Sequence, residues 1–172
     1  LYQTLPDLRK SKSIIVVEGY MDVVLSQQYG VSGTVAPLGT AFTQQQAKLI
    51  NRYAEDVTLL FDPDDAGRTA TQRALEICAE CNVPAKTSSL PEGVDPDEYL
   101  LENGKENFYT LLNKNAKTAI EFVVDRVLSN VDINSAQGKA KAVVSLLDFV
   151  EKNKNIIVQR EYIKFKIGRA HV

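Results

Sequence analysis

Tryptophan is absent from the 172 residues, and the sequence holds one histidine and two cysteines. Two cysteines are too few for a disulfide scaffold, so a reducing, cytoplasmic setting is expected. No apolar run approaches the length of a membrane span. The first turn carries Asp7, Arg9 and Lys10 instead of the apolar stretch of a signal peptide, so no membrane partner is expected. Excess charge of one sign is also missing. Lys plus Arg number 20 and Asp plus Glu 22, a formal net charge of −2. That balance excludes a strongly basic binder that holds nucleic acid by bulk charge alone. With 44% hydrophobic residues the chain can bury a core and is not a disordered tail.

The last six residues, Ile167 to Val172 (IGRAHV), read like the translation of a common sequencing-adapter DNA. They contain His171, so no site is built on the histidine. With a start at Leu1 instead of Met, this makes a piece of a longer protein the expectation.

From Ser13 to about Lys86 short apolar runs alternate with helical patterns. Ile14–Val17 is an unbroken β-branched run, as in a strand covered on both faces. A helix is predicted over about 21–29, stopped by Gly30, and then a strand over 34–36 ended by Pro37 and Gly39. Thr43 caps a predicted helix from Gln44 to about Tyr53. Val57–Phe61 reads as a third buried strand, 65–81 as a long helix, and 85–89 as a fourth strand. Strands separated by helices in this way form parallel βαβ units, which place ligands at the carboxyl ends of the strands. From about Ala116 the pattern changes. Ile120, Val123, Val124, Val127 and Leu128 mark one helix face, and Ala140, Val143, Val144, Leu147 and Val150 mark another after an Asn134-Ser135 start signal. A third helix is predicted from near Asn155. The fold class is therefore α/β, a parallel sheet with flanking helices followed by a small all-helical subdomain.

Three acidic clusters fall at predicted strand ends. Glu18 follows the first strand, Asp62 and Asp64 the third, Asp95 and Asp97 the fourth. Any one of them is also what a helix N-cap or solvated turn leaves behind. Three at successive strand ends favour a shared patch, whose like charges raise one another's pKa unless a cation neutralises them. Oxygen ligands without His or Cys suit Mg²⁺ or Mn²⁺, not Zn²⁺. Such a site binds one or two ions and acts on phosphates. Gly19 and Gly67 lie just after carboxylates, where a tight turn or close approach wants no side chain.

The strings VVEGYMDVV, PLGTAFT, FDPDDAGR and PEGVDPDEYL resemble, in order and spacing, the Toprim domain of bacterial DNA primases of the DnaG type. Ala136-Gln137-Gly138-Lys139-Ala140 falls where those proteins carry a Gly-basic motif opening a helix, so the resemblance reaches about Lys166. It implies Glu18, Asp62 and Asp64 as central catalytic and metal-binding acids, with Asp22, Asp95 and Asp97 in support. It implies Mg²⁺ or Mn²⁺, two ions, as the cofactor. The partners it implies are a single-stranded DNA template, ribonucleoside triphosphates and an RNA primer, with the replicative helicase reached through a missing C-terminal domain. Zinc belongs to an N-terminal module absent here, and the template-holding basic surface to a missing lobe.

The resemblance also orders the chain. Residues 1–12 connect from the missing lobe, 13–104 form the Toprim domain, 105–166 the helical subdomain and 167–172 the adapter-derived tail. Asp65 departs from relatives that carry a basic or small residue there, and reads as a helix N-terminal acid. Lys86 and Arg68 are phosphate neighbours or ordinary surface cations, the latter favoured. Tyr20 sits beside Glu18, with core packing favoured. Cys78 and Cys81 have CxxC spacing but no second pair, which excludes a zinc site. The alternatives are another Toprim enzyme, a topoisomerase or OLD-type nuclease, or a non-catalytic Toprim docking module.

Overall fold

The computed structural model describes residues 5–37, 39–91 and 93–169, with the side chains of Asp7, Asp97 and 165–169 outside the description. After a short helix α1 (Leu5–Ser11), the chain runs β1 (Ser13–Val16), α2 (Tyr20–Gln28), β2 (Thr34–Val35), α3 (Gln44–Ile50), β3 (Asp56–Leu59), α4 (Asp65–Glu80) and β4 (Ala85–Thr87). Then come α5 (Pro96–Lys114), β5 (Lys117–Thr118), α6 (Ala119–Ser129), α7 (Ala136–Lys152) and α8 (Ile156–Arg169). The sheet order is β2-β1-β3-β4-β5; the first four strands are parallel and β5 is antiparallel to β4. From β1 the chain goes to one side to make β2, then returns across β1 to make β3. That reversal opens a crevice beyond the carboxyl ends of β1 and β3.

The apolar β1 and β3 runs are central because both their faces are covered. One core holds Ile14, Val16, Val57 and Leu59 of the sheet with Ala74, Leu75 and Cys78 of α4. Ile120, Val123, Val124, Leu146, Phe149 and Val150 of α6 and α7 pack into that same core. The other face buries Ile15, Val17 and Leu60 against Leu100, Phe108 and Leu112 of α5. So the helical segment after the sheet shares the core of the sheet, and α5 covers the opposite side.

Local signals set the helix starts. Thr43 and Thr118 each accept a backbone N–H three residues on, with Gln46 and Glu121 reaching back in reciprocal capping boxes. Ser135 Oγ accepts from Gly138 N–H at 3.0 Å and donates to Asp132 C=O at 3.0 Å. Gly138 is required there, since a Cβ would lie 1.8 Å from the Asp132 carbonyl oxygen. Ser135→Ala is expected to cost about 1 kcal/mol in urea unfolding, the usual value of a lost N-cap.

Three elements were not predicted. α1 is only 7 residues long. α5 begins with Pro96 after Asp95 and kinks at Gly104, where φ is 74°. No element is predicted over 96–114, since acids and turn residues at its start mask the helical spacing that follows. β5 is two residues long, too short for a period to register.

Candidate active site at the carboxyl ends of β1 and β3

Val17 is the last buried residue after β1, and Glu18 emerges beside the crevice as an exposed side chain. Across it, Leu60 N–H donates to Val16 C=O at 2.8 Å, prolonging the β1–β3 pairing to the point where Asp62 leaves the sheet. Asp62 N–H then donates to Glu18 Oε1 at 2.9 Å, a bond between residues 44 apart in sequence. Asp64 is the N-cap of α4 and accepts the Gly67 N–H at 2.6 Å. Asp22 reaches back to accept the Gly19 N–H at 3.0 Å, closing the entry to α2. Two of the acids therefore hold the turns that carry the others. Gly67 is pressed so closely under this loop that a Cβ would stand 2.1 Å from the Asp62 carbonyl oxygen and 2.8 Å from Glu18 Oε1.

The electrostatics join these residues into one field. The Glu18 pKa is raised above 4.5, first by desolvation and then by the charges of Asp62, Asp64 and Asp22, while the Asp62 N–H pulls it down. Desolvation also leads in raising Asp62 above 3.8, followed by Asp22, Asp64 and Asp95. Both carboxylates are exposed, so this is the partial desolvation of a crevice floor. Glu18, Asp22, Asp62, Asp64 and Asp95 thus lie at one edge. The side chain of Asp97 lies outside the described residues.

As the side chains stand, no three carboxylate, imidazole or thiol groups among the described residues are close enough to hold one ion. The donor chemistry fits a hard divalent cation nonetheless: the set is oxygen only, and its mutual repulsion is what such an ion relieves. A cavity of about 330 Å³ is lined by Asp62, Asp64, Arg68 and Asp95. A second, of about 290 Å³, is lined by Asp62, Arg68, Ser88 and Lys117.

The remaining expectations divide. Lys86 Nζ pairs with Asp56 at 2.8 Å. Asp56 opens β3, at the end of the strand away from the acids, so Lys86 is a surface cation and not a phosphate neighbour. Arg68 stays beside the acids and borders both cavities. Tyr20 is 62% exposed, which overturns its core-packing reading: it is the first residue of α2, two positions after Glu18. Asp65 is the first residue of α4, an N-terminal acid as expected. Burial, with Cys81 adding, pushes the Cys78 thiol up to about 12, so it stays protonated and inert. Lys117 joins the site through β5, which no local motif signals.

Residues 15–100 match a family model described as Toprim-like, and residues 120–165 match one described as the DnaB-helicase binding domain of primase. The second match covers most of α6 to α8, helices to which the sequence reading gave no helicase role. The chain is 41% identical over 140 residues to a DNA primase of Clostridium acetobutylicum, which covers 81% of this chain and 23% of the relative. With a DNA primase of Borreliella burgdorferi the identity is 33% over 174 residues, 97% of this chain and 33% of the relative. A solved DnaG primase catalytic domain bound to single-stranded DNA superposes with a TM-score of 0.88 at 30% identity, over 98% of this chain and 55% of that one. The chain thus spans between 23% and 33% of the length of these two curated relatives. On these matches and on the geometry of its acidic edge, the chain belongs to the Toprim-like family, among the DnaG-type bacterial DNA primases.

Proposed function

We propose that this chain is part of a primase catalytic core, which joins ribonucleotides into short RNA primers on single-stranded DNA. The observation that carries the reading is the meeting of Glu18 with Asp62 and Asp64 at the sheet's reversal point, tied by the Asp62–Glu18 bond. In the reaction, a primer 3′ hydroxyl attacks the α-phosphorus of a ribonucleoside triphosphate; a new O–P bond forms and pyrophosphate leaves. Glu18, Asp62 and Asp64 would hold Mg²⁺ or Mn²⁺, two ions in all, with Asp22, Asp95 and Asp97 in support. When bound, such ions stabilise the attacking and leaving oxygens. The protein's own contribution is position. Asp62 N–H fixes one Glu18 oxygen, and the caps made by Asp64 and Asp22 fix the two loops from which the acids project.

The partners of this reading are template DNA, ribonucleoside triphosphates, the RNA primer and the replicative helicase. The family description over residues 120–165 supports a helicase contact that falls at least in part on α6–α8, and not only on a segment outside the chain. The division 13–104 and 105–166 is kept as a functional one: its boundary lies at the Gly104 kink inside α5, although the sheet continues to Thr118. The isolated chain is proposed to bind metal weakly and make no primers. Its setting is proposed to be the bacterial or phage-infected cytoplasm; no described helix is long and apolar enough to cross a membrane.

Calorimetric titration with Mn²⁺ tests the acids. Asp62→Asn or Asp64→Asn is expected to weaken binding by about tenfold or more. Unchanged affinity in both variants would sink the metal assignment.

A further inference from the structure

We propose that the outer face of α7 is the contact through which two copies of this chain pair, the two helices running antiparallel about a twofold axis beside Val144. The sequence marks Ala140, Val143, Val144, Leu147 and Val150 as one apolar helix face, and the fold buries a different one. Ala142, Leu146, Phe149 and Val150 are buried, while Val143, Val144 and Leu147 stay 53%, 58% and 40% exposed. With the exposed Ala140 they form a stripe about 100° wide along two turns of the helix. The solvent face of a surface helix is ordinarily polar, and a continuous apolar stripe on it marks an interaction surface. Neither cavity at the carboxylate edge is lined by a residue of α7, so a partner seated on this stripe fills neither of them. The pairing therefore stands apart from the polymerising role.

The charges beside the stripe point to the occupant. Lys141 and Asp148 lie on one flank of it, two turns and about 10 Å apart along the axis, beyond the spacing at which helix neighbours pair. Among the described residues neither forms an ion pair. Lys152, four positions after Asp148, is engaged with Glu76 at 2.7 Å. A twofold axis perpendicular to α7 makes the paired helices antiparallel and brings equal flanks together. With the axis beside Val144, Lys141 comes opposite Asp148 of the partner subunit, and Asp148 opposite the partner's Lys141. Gln137 likewise comes opposite the partner's Glu151, and Val143 opposite the partner's Leu147. One face thus supplies both halves of a complementary contact, as an isologous dimer requires. A partner helix of one charge sign would match only one of the two ends.

Sedimentation velocity of the 172-residue chain over a wide concentration range reads the pairing directly. A stripe this small predicts a weak dimer, with Kd on the order of 10–100 μM. Val144→Glu sets two like charges together at the axis and is expected to weaken association by about tenfold or more. Lys141→Asp and Asp148→Lys are each expected to weaken it by about three- to tenfold, since each variant opposes like charges when it pairs with itself. Mixed in equal amounts, these two variants should associate as the parent does, because each contact between them again joins opposite charges. All three positions are exposed, so the variants should keep the parent's circular dichroism and melting temperature. A parent that is monomeric even at about ten times the expected Kd overturns the proposal and leaves the face to a different macromolecule. Parent-like pairing of Val144→Glu, or charge variants that fail to restore each other in the mixture, overturns it as well.

Discussion

Gly67→Ala is expected to unfold at lower urea than the parent, with a loss of about 2–3 kcal/mol, and to bind Mn²⁺ more weakly as well. Inside a helix the same exchange ordinarily stabilises by close to 1 kcal/mol. Here the added Cβ would stand 2.1 Å from the Asp62 carbonyl oxygen and 2.8 Å from Glu18 Oε1. Overpacking of well-fitted sites costs about 1–3 kcal/mol, occasionally more. A backbone oxygen cannot rotate out of the way as a side-chain end can. To relieve the contact, the loop 62–64 must lift or α4 must back away from β3. Either movement breaks the Asp62 N–H bond to Glu18 and separates the acids on the two strand ends. Urea unfolding reads the first effect and calorimetric Mn²⁺ titration the second. A variant as stable as the parent with unchanged metal affinity would mean that the loop is free to shift, and that the two strand ends are not held in register by this glycine.

The same contacts show how far the sequence alone could lead. The β1 and β3 runs were legible because a strand buried on both faces has few polar positions to confuse it: Ile14–Val17 has none, and Val57–Phe61 has only the β-branched, buried Thr58. Glu18 and Asp62 were legible because each follows a buried apolar run directly, whereas Asp95 stands a loop beyond the end of β4 at Thr87 and Asp22 lies inside α2. Their hydrogen bonds were not: the Asp62–Glu18 bond joins residues 44 apart and exists only once β1 and β3 pair. Asp64 is a cap as well as an acid, a double use that the bland and the functional readings each half described, and Asp22 likewise holds the Gly19 turn. The helices after residue 116 were visible as amphipathic faces, yet nothing in their period showed that Ile120, Val123 and Phe149 would enter the sheet's own core. Lys117 escaped altogether: a cation in a two-residue strand comes beside Asp62 only once β5 pairs with β4.

The acidic edge should also make stability depend on pH and on divalent metal in opposite senses. In the folded chain the Glu18 and Asp62 pKa values lie above the ordinary 4.5 and 3.8. A group raised in this way holds more protons folded than unfolded between the two values, so its contribution is full below the unfolded pKa and is lost as pH rises through the folded one. At pH 7 without metal, these two carboxylates therefore oppose folding. Asp62→Asn removes one of them while keeping the backbone N–H that binds Glu18, so the EDTA-treated variant should melt above the parent at pH 7. The difference should close as the pH falls past the ordinary carboxylate range, where the parent's Asp62 is itself neutral. Mg²⁺ reverses the order. At about ten times the dissociation constant it should stabilise the parent by about 1.4 kcal/mol, some 3–5 °C for a chain of this size, and should leave Asp62→Asn nearly unmoved. Scanning calorimetry of both proteins at pH 4 and pH 7, with EDTA and with Mg²⁺, supplies all the comparisons. A parent that gains nothing from Mg²⁺ at pH 7, or a variant that melts lower than the parent in EDTA, would show that these carboxylates are settled by contacts within the chain and that no ion is needed to hold them together.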